Sequence, residues 1–390
     1  MSEISQKYKK LTQIEHVIKK PGMYIGEVKP RQDFQWIYNS SSNKMEFQEI
    51  VYSPGLYKIF DEIIVNALDE STRDKTMTQI KVSIDQDTIS VYNDGVGIPI
   101  VIHPEHKIYV PELIFANLLT STNYDDSQKR VTGGTHGLGA KLTAIFSKEM
   151  IVEIGDPKNK KSYYQVYQNN LSKISKPVIK KYTEKNGYVK ITFVPDYPKF
   201  DYQNLNKSNK NLMMKRTWDI AALSPENVSI FLNDQEINVK SFDQYVNLYL
   251  EKDTPMVKFN KGGWQIILTD SQSEKFNQVS FVNGINTSKG GKHVDYITDQ
   301  ITSYIQKIIK KSSLKDSYIK DNFWIFIKAE VVNPSFSSQT KEELITNKND
   351  FGIEVELSSS FFKKIKDGQI NLINNVLMYL KSREMAKFAK

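Results

Sequence analysis

Asn93-Asp94-Gly95-Val96-Gly97-Ile98-Pro99 follows directly on a stretch in which Ile89 and Val91 alternate with polar residues. That alternation predicts a strand, so the segment leaves a strand end. Two glycines let the backbone pass close to a flat ligand. An Asn or Asp at the strand end can accept a hydrogen bond from an exocyclic amine such as that of adenine. The same residues are good turn formers, so their meaning depends on what flanks them.

Upstream, Ile80, Val82 and Ile84 form a second alternating strand, with Asp85-Gln86-Asp87 as the hairpin turn. Before it, Leu56, Phe60, Ile63, Ile64 and Ala67 recur at helical spacing and predict a helix over 56–70. At 100° per residue, Glu62, Asn66 and Asp69 fall within about 60° of one another, away from that apolar stripe. An amide oxygen there can hold Mg²⁺, and a carboxylate one turn away can orient or deprotonate a water. Pro21-Gly22 and Pro54-Gly55 read as turns.

Downstream, a helix is expected over 111–119, then a polar, glycine-bearing stretch from Thr120 to Gly139 whose length suggests a functional loop. It ends in Gly133-Gly134-Thr135-His136-Gly137-Leu138-Gly139-Ala140-Lys141, entering another helix near Gly139. Backbone N–H groups at such a helix start suit phosphate oxygens. The segment is not a Walker A loop, because Ala140 separates the last glycine from Lys141 and Leu142 follows the lysine.

Beyond this region, 150–200 reads as strand-rich, with Val189, Ile191 and Phe193 alternating. A helix over 211–223 and a strand over 228–232 follow. A domain boundary is expected near Asp253-Thr254-Pro255, dividing the chain into 1–253 and 254–390. Strands are expected near 264–269, 278–283 and 323–332, with helices over 293–311 and 359–385.

The chain has 390 residues, 39% hydrophobic and 25% charged, which suits a soluble chain of two or three domains. Cysteine is absent, which excludes disulfides, thiolate zinc sites and a cysteine nucleophile. Five histidines are present, none at ligand spacing for a metal. The net charge of +8 permits an anionic partner without identifying one. With no membrane-length apolar run and no signal-like N-terminus, an intracellular protein is expected.

The three elements occur in a fixed order: helical Glu-x-x-x-Asn, then Asn-Asp-Gly-x-Gly, then a Gly-x-x-Gly-x-Gly loop. Together they resemble the ATP site of the GHKL superfamily of gyrase, Hsp90, histidine kinases and MutL. Lys20-Pro21-Gly22-Met23-Tyr24-Ile25-Gly26, Pro54-Gly55-Leu56-Tyr57-Lys58-Ile59-Phe60-Asp61-Glu62 and Leu118-Leu119-Thr120-Ser121-Thr122-Asn123-Tyr124 look like the type IIA topoisomerase branch. So do Ser288-Lys289-Gly290-Gly291-Lys292-His293 and Phe336-Ser337-Ser338-Gln339-Thr340-Lys341. The resemblance spans nearly the whole chain and is nearest to eukaryotic topoisomerase II, with the enzymes of large DNA viruses as relatives.

The resemblance implies an α/β fold: a GHKL (Bergerat) ATPase sandwich with an N-terminal dimerisation arm, then a transducer domain with a ribosomal-protein-S5-like fold. It implies ATP and Mg²⁺ as cofactors. Glu62 would be the general base and Asn66 the Mg²⁺ ligand. Asn93 would bind the adenine amine, and Ser121, Thr122 and Asn123 the ribose and phosphates. Gly134, Thr135, His136, Gly137, Leu138, Gly139, Ala140 and Lys141 would form the phosphate lid. Gln339 and Lys341 would reach the γ-phosphate from the second domain, with Lys341 catalytic. Tyr8 would reach the partner's nucleotide in a homodimer formed on ATP binding.

Lys289 and Lys292 would contact the backbone of double-stranded DNA, whereas Lys307, Lys310, Lys311, Lys315 and Lys320 read as a solvated face. Asn93 agrees with the eukaryotic branch, where gyrase has Asp; His136 departs from the usual Asn. The DNA-cleaving tyrosine would lie beyond Lys390, in a cleavage core C-terminal to this chain or in a separate subunit, so this chain alone would not cleave DNA. A nuclear location is implied, or a host nucleus or cytoplasmic factory for a viral source. A MutL-like mismatch-repair ATPase is the alternative; the Ser-Lys-Gly-Gly-Lys-His and Gln-Thr-Lys segments speak against it.

Overall fold

The computed structural model describes residues 10–118, 131–134, 137–311 and 314–388. The chain divides into two compact units, the first ending at Ser241 and the second beginning at Phe242; the described residues 131–133 belong with the second.

In the first unit, the opening helix α1 (Gln13–Lys19) starts in a capping box, Thr12 and Glu15 each bonding the other's backbone N–H. Strands β1 (Arg31–Asn39) and β2 (Lys44–Tyr52) form a separate antiparallel hairpin. The long helix α2 (Pro54–Arg73) follows at once. Pro54-Gly55 is therefore not a turn. Ser53 is the N-cap, its Oγ accepting from Leu56 N, and Pro54 takes a first-turn position where no N–H is needed.

A nine-stranded sheet forms the body of this unit. Its strands are β3 (Gln79–Ile84), β4 (Ile89–Gly95), β5 (Ser147–Asp156), β6 (Lys161–Gln168), β7 (Lys173–Ile174), β8 (Val178–Lys181), β9 (Gly187–Pro195), β10 (Ser229–Leu232) and β11 (Gln235–Glu236). The order is β11-β10-β3-β4-β9-β5-β6-β7, with β8 also on β6. Only β10 and β3 run parallel among these pairs. Helix α2, a short α3 (Val110–Ala116), α4 (Gly139–Ile145) and α5 (Lys207–Leu223) complete the unit. Leu56, Ile59, Phe60, Ile63, Ile64 and Leu68 of α2 are all buried. Each such aliphatic or aromatic side chain contributes about 1.5–3 kcal/mol on burial.

In the second unit, α6 (Phe242–Val246) precedes a five-stranded sheet ordered β12-β13-β16-β14-β15. These strands are β12 (Val257–Lys261), β13 (Trp264–Asp270), β14 (Asn277–Val282), β15 (Ile285–Asn286) and β16 (Phe323–Ala329). Helices α7 (Lys292–Ile309) and α8 (Asp316–Lys320) make the crossover that parallel β14 and β16 require. The C-terminal helical stretch is two helices, α9 (Ser359–Lys366) and α10 (Leu372–Phe388), not one; Gly368 turns the chain between them at φ +81°.

Val294, Ile297, Ile301 and Ile305 of α7, Phe361 and Ile365 of α9 and Leu372, Val376 and Leu380 of α10 share one core with Trp264, Ile266, Phe323 and Ile325. The aromatic stretch just after Ser241 also packs on this sheet. Tyr249 lies 5.9 Å from Trp324 and 5.5 Å from Phe326, ring to ring, and Phe242 and Tyr245 meet Phe281. This is why the division falls before Phe242 instead of after Asp253. It also explains why Phe323–Ala329 is buried almost continuously instead of alternating.

Candidate nucleotide site

Helix α2 carries the first part of the site. Glu62 and Asp69 are buried, while Asn66 between them is exposed. Glu62 is held by Lys58 one turn earlier, Nζ to Oε1 2.5 Å. Lys58 lies 3.6 Å from Asp61, and Asp61 Oδ1 accepts from Arg216 Nε of α5 at 2.7 Å. Arg216 lies 3.6 Å from Asp219, which pairs with Lys215 at 3.0 Å. Burial pulls the Lys58 ammonium down, but the Glu62 and Asp61 carboxylates more than offset it and hold it above its ordinary value. The Arg216 guanidinium is likewise raised, burial being outweighed by Asp61 and its neighbours. Three buried cations thus face three carboxylates, with Glu62 at the end of the chain.

The glycines of 134–139 seat on this helix. Gly134 N donates to Asp69 Oδ2 at 2.8 Å. A Cβ at Gly134 would come within 3.2 Å of that oxygen and 3.5 Å of Asn66 Oδ1. At Gly139 a Cβ would run into the Glu62 carboxylate, so only glycine lets α4 start there. Lys141, one turn into the site's own helix, is buried with Nζ donating to Gly137 O at 2.8 Å, and burial lowers its ammonium to about 8. Asp69 as the anchor of Gly134 was not legible in sequence; the two residues are far apart along the chain.

Asn93 and Asp94 sit buried at the end of β4 and do different work. Asp94 accepts from the N–H groups of Thr78 and Gln79 and from the Thr78 hydroxyl, which ties β4 to the entry of β3. Asn93 donates Nδ2 to Asp94 O at 3.1 Å, leaving Oδ1 as its acceptor. Gly95 (φ +126°) lies against Asp74, whose Oδ2 accepts from Val96 N at 2.8 Å. Burial pushes the Asp74 carboxyl up, but bonds from Thr76 and Val96 outweigh it and leave it below the usual range. Asp74 is a supporting residue that the sequence did not reveal.

In the second unit, Lys341 is buried and its Nζ donates to Gly133 O at 3.0 Å; Gln339 nearby is half-buried. The segment after Lys341 is laced to the Gly-Gly loop. Lys289 N donates to Glu342 O, Lys292 N to Leu344 O and Leu344 N to Gly290 O. Gly291 (φ +122°) leaves no room for a Cβ against the Leu344 backbone. Lys289 is exposed and paired with Glu342 at 2.9 Å, and Lys292 is exposed at the start of α7. Behind them His293 is fully buried, and burial lowers its imidazole to about 3. Tyr8, Ser121, Thr122, Asn123, Thr135 and His136 lie outside the described residues.

Comparison with known proteins bears on the whole chain. Residues 52–193 match the family model of histidine kinase-, DNA gyrase B- and HSP90-like ATPases, and 228–390 match that of DNA gyrase B. The crystal structure of the ATPase region of Saccharomyces cerevisiae topoisomerase II is 41% identical, with a TM-score of 0.92 over 97% of this chain and all of that one. The chain belongs to the DNA topoisomerase II family. Its mixed α/β fold is that of the ATPase and transducer region of topoisomerase II. The ATPase and transducer domains of the Balamuthia mandrillaris enzyme superpose equally well, with a TM-score of 0.92 at 37% identity, over 97% of this chain and 99% of that one. DNA topoisomerase 2 of Arabidopsis thaliana is 43% identical over 96% of this chain but only 26% of its own length. The chain thus spans about a quarter of the curated relatives it matches. These matches favour topoisomerase II over a MutL-like protein.

Proposed function

We propose that the chain binds and hydrolyses ATP as the nucleotide-operated gate of a type II DNA topoisomerase. The observation that carries this reading is the seating of Gly134 and Gly139 directly on Asp69, Asn66 and Glu62. A phosphate-binding loop that folds onto a carboxylate and an amide puts a base and a cation ligand where a terminal phosphate would lie.

Asn93 Oδ1 accepts the adenine amine, and the Gly95 and Gly97 backbone admits the ring. Gly134 anchors the loop through Asp69, Gly137, Leu138, Gly139 and Ala140 line the phosphates with N–H groups, and Lys141 adds a cation; Ser121, Thr122, Asn123, Thr135 and His136 take ribose and phosphate roles. Asn66 presents an exposed amide oxygen beside Gly134, a hard donor suited to Mg²⁺. The ion, when bound, neutralises phosphate charge. Glu62, paired with Lys58, takes a proton from the attacking water. Lys341 exchanges Gly133 O for the γ-phosphate, with Gln339 beside it, and so reports the presence of that group.

In the wider enzyme, two copies pair when ATP binds, Tyr8 of each reaching the other's nucleotide. Hydrolysis then resets the gate around a DNA duplex, which a DNA-cleavage core lets pass. Lys289 and Lys292 touch the duplex backbone, and the enzyme works in the nucleus.

Glu62→Gln tests the reading. Turnover should fall by about 10²–10⁴-fold, the usual contribution of a positioned base, while affinity for a non-hydrolysable ATP analogue stays within a few-fold. Unchanged turnover would remove Glu62 from its role.

A further inference from the structure

Between Gly97 and α3 the chain makes a tight hairpin that the nucleotide site does not use. Ile102 and Tyr109 form an antiparallel bridge, His103 N donates to Ile108 O at 2.8 Å, and Val110 N donates to Val101 O at 2.9 Å. Lys107 turns the chain at φ +57°, its N–H donating to His103 O at 3.0 Å. This turn gathers residues that in sequence showed no ligand spacing. His103, Glu105 and His106 each bring a donor atom within 4.8 Å of the others. The two imidazole rings lie 4.8 Å apart between centroids.

We propose that His103, Glu105 and His106 form a binding site for a transition-metal dication, with Zn²⁺ as its occupant. Two imidazoles and one carboxylate are a donor set for Zn²⁺ or Cu²⁺; Mg²⁺ and Ca²⁺ take oxygen ligands instead. The scaffold is already fixed by its backbone bonds, so a cation would order only side chains. His103 Nδ1 presents its lone pair to the inside of the turn, where it accepts long bonds from Glu105 N at 3.3 Å and His106 N at 3.4 Å. Those contacts are weak, so the ring can turn away from the two N–H groups, give its Nδ1 lone pair to a metal and keep its proton on Nε2. Glu105 and His106 are exposed, so their side chains can swing from the present spacing to the roughly 3.3 Å that separates ligands around tetrahedral zinc. Three protein ligands leave one position for water. The site is distinct from the Mg²⁺ position proposed at Asn66 in both donor chemistry and place.

The test uses the whole chain with no polyhistidine tag. Zn²⁺ is titrated in competition with a chromophoric chelator, and Cu²⁺ serves as a spectroscopic probe by electron paramagnetic resonance. One equivalent should bind. His106→Gln and Glu105→Gln should each weaken binding about tenfold or more, and the number of imidazole nitrogens coupled to Cu²⁺ should fall from two to one in His106→Gln. Because His106 is exposed, that variant should keep its circular dichroism and its metal-free melting point. Absence of saturable binding, or a wild-type affinity and nitrogen count in His106→Gln, overturns the proposal.

Discussion

Arg216 is the residue on which the buried charge balance turns. It sits wholly inside the protein, bonded to Asp61 and close to Asp219, and its raised pKa keeps it charged at any accessible pH. Replacing it with Ala would leave three buried carboxylates, Glu62, Asp61 and Asp219, against Lys58 and Lys215. Loss of one partner from a buried ion group costs about 3–5 kcal/mol, so Arg216→Ala should lower the unfolding free energy by that amount, read as a lower denaturant midpoint. Arg216→Lys should recover part of it, keeping charge without the planar fork. Equal midpoints for Ala and wild type would mean that the network contributes nothing to stability. Asp74 gives a pH signature at the same scale. Its folded pKa lies below its unfolded one, so its contribution is complete above the ordinary carboxylate range and is lost as pH falls through the folded value. Stability measured from pH 5 downward should therefore fall less steeply below about pH 4 in Asp74→Asn than in wild type.

At the scale of elements, α2 and the β3–β4 hairpin were legible because their apolar residues repeat with clean periods of 3.6 and 2. The β1–β2 hairpin was not. Its strand Arg-Gln-Asp-Phe-Gln-Trp-Ile-Tyr-Asn has mixed polarity and a half-buried surface, so no period stands out. The site motifs were readable as a set, but their supports were not. Arg216 meets Asp61, and Asp69 meets Gly134, only through tertiary packing. The metal-type cluster at His103 was invisible because a tight turn over residues 104–106, not a helical or strand spacing, brings its members together.

Helix α4 carries a prediction of its own. Lys141 is held near pKa 8 by burial, so at pH 8.5 it is mostly neutral without nucleotide. Phosphate oxygens nearby favour the charged form. Nucleotide binding at that pH should then take up a fraction of a proton per site, which calorimetry in buffers of different ionisation enthalpy can read. The uptake should vanish in Lys141→Met and shrink at pH 7, where Lys141 is already charged. Equal uptake in wild type and Lys141→Met would exclude this lysine as a phosphate partner.

For the whole molecule, the proposed gate makes oligomeric state a function of nucleotide. Without nucleotide the chain should run at its monomer mass of 45.0 kDa. With Mg²⁺ and a non-hydrolysable ATP analogue it should double, as light scattering can follow. Lys341 separates nucleotide binding from that response. It is buried and bonded to Gly133 O, so a γ-phosphate must offer it a better partner than a neutral carbonyl. A phosphate oxygen adds the attraction of opposite charges where a carbonyl offers only a dipole, which gives ATP an advantage over ADP at this residue. ADP should therefore bind without doubling the mass. Lys341→Ala should bind the analogue but dimerise at a much higher concentration of it. Doubling by ADP, or a wild-type response in Lys341→Ala, would mean that the γ-phosphate is sensed elsewhere.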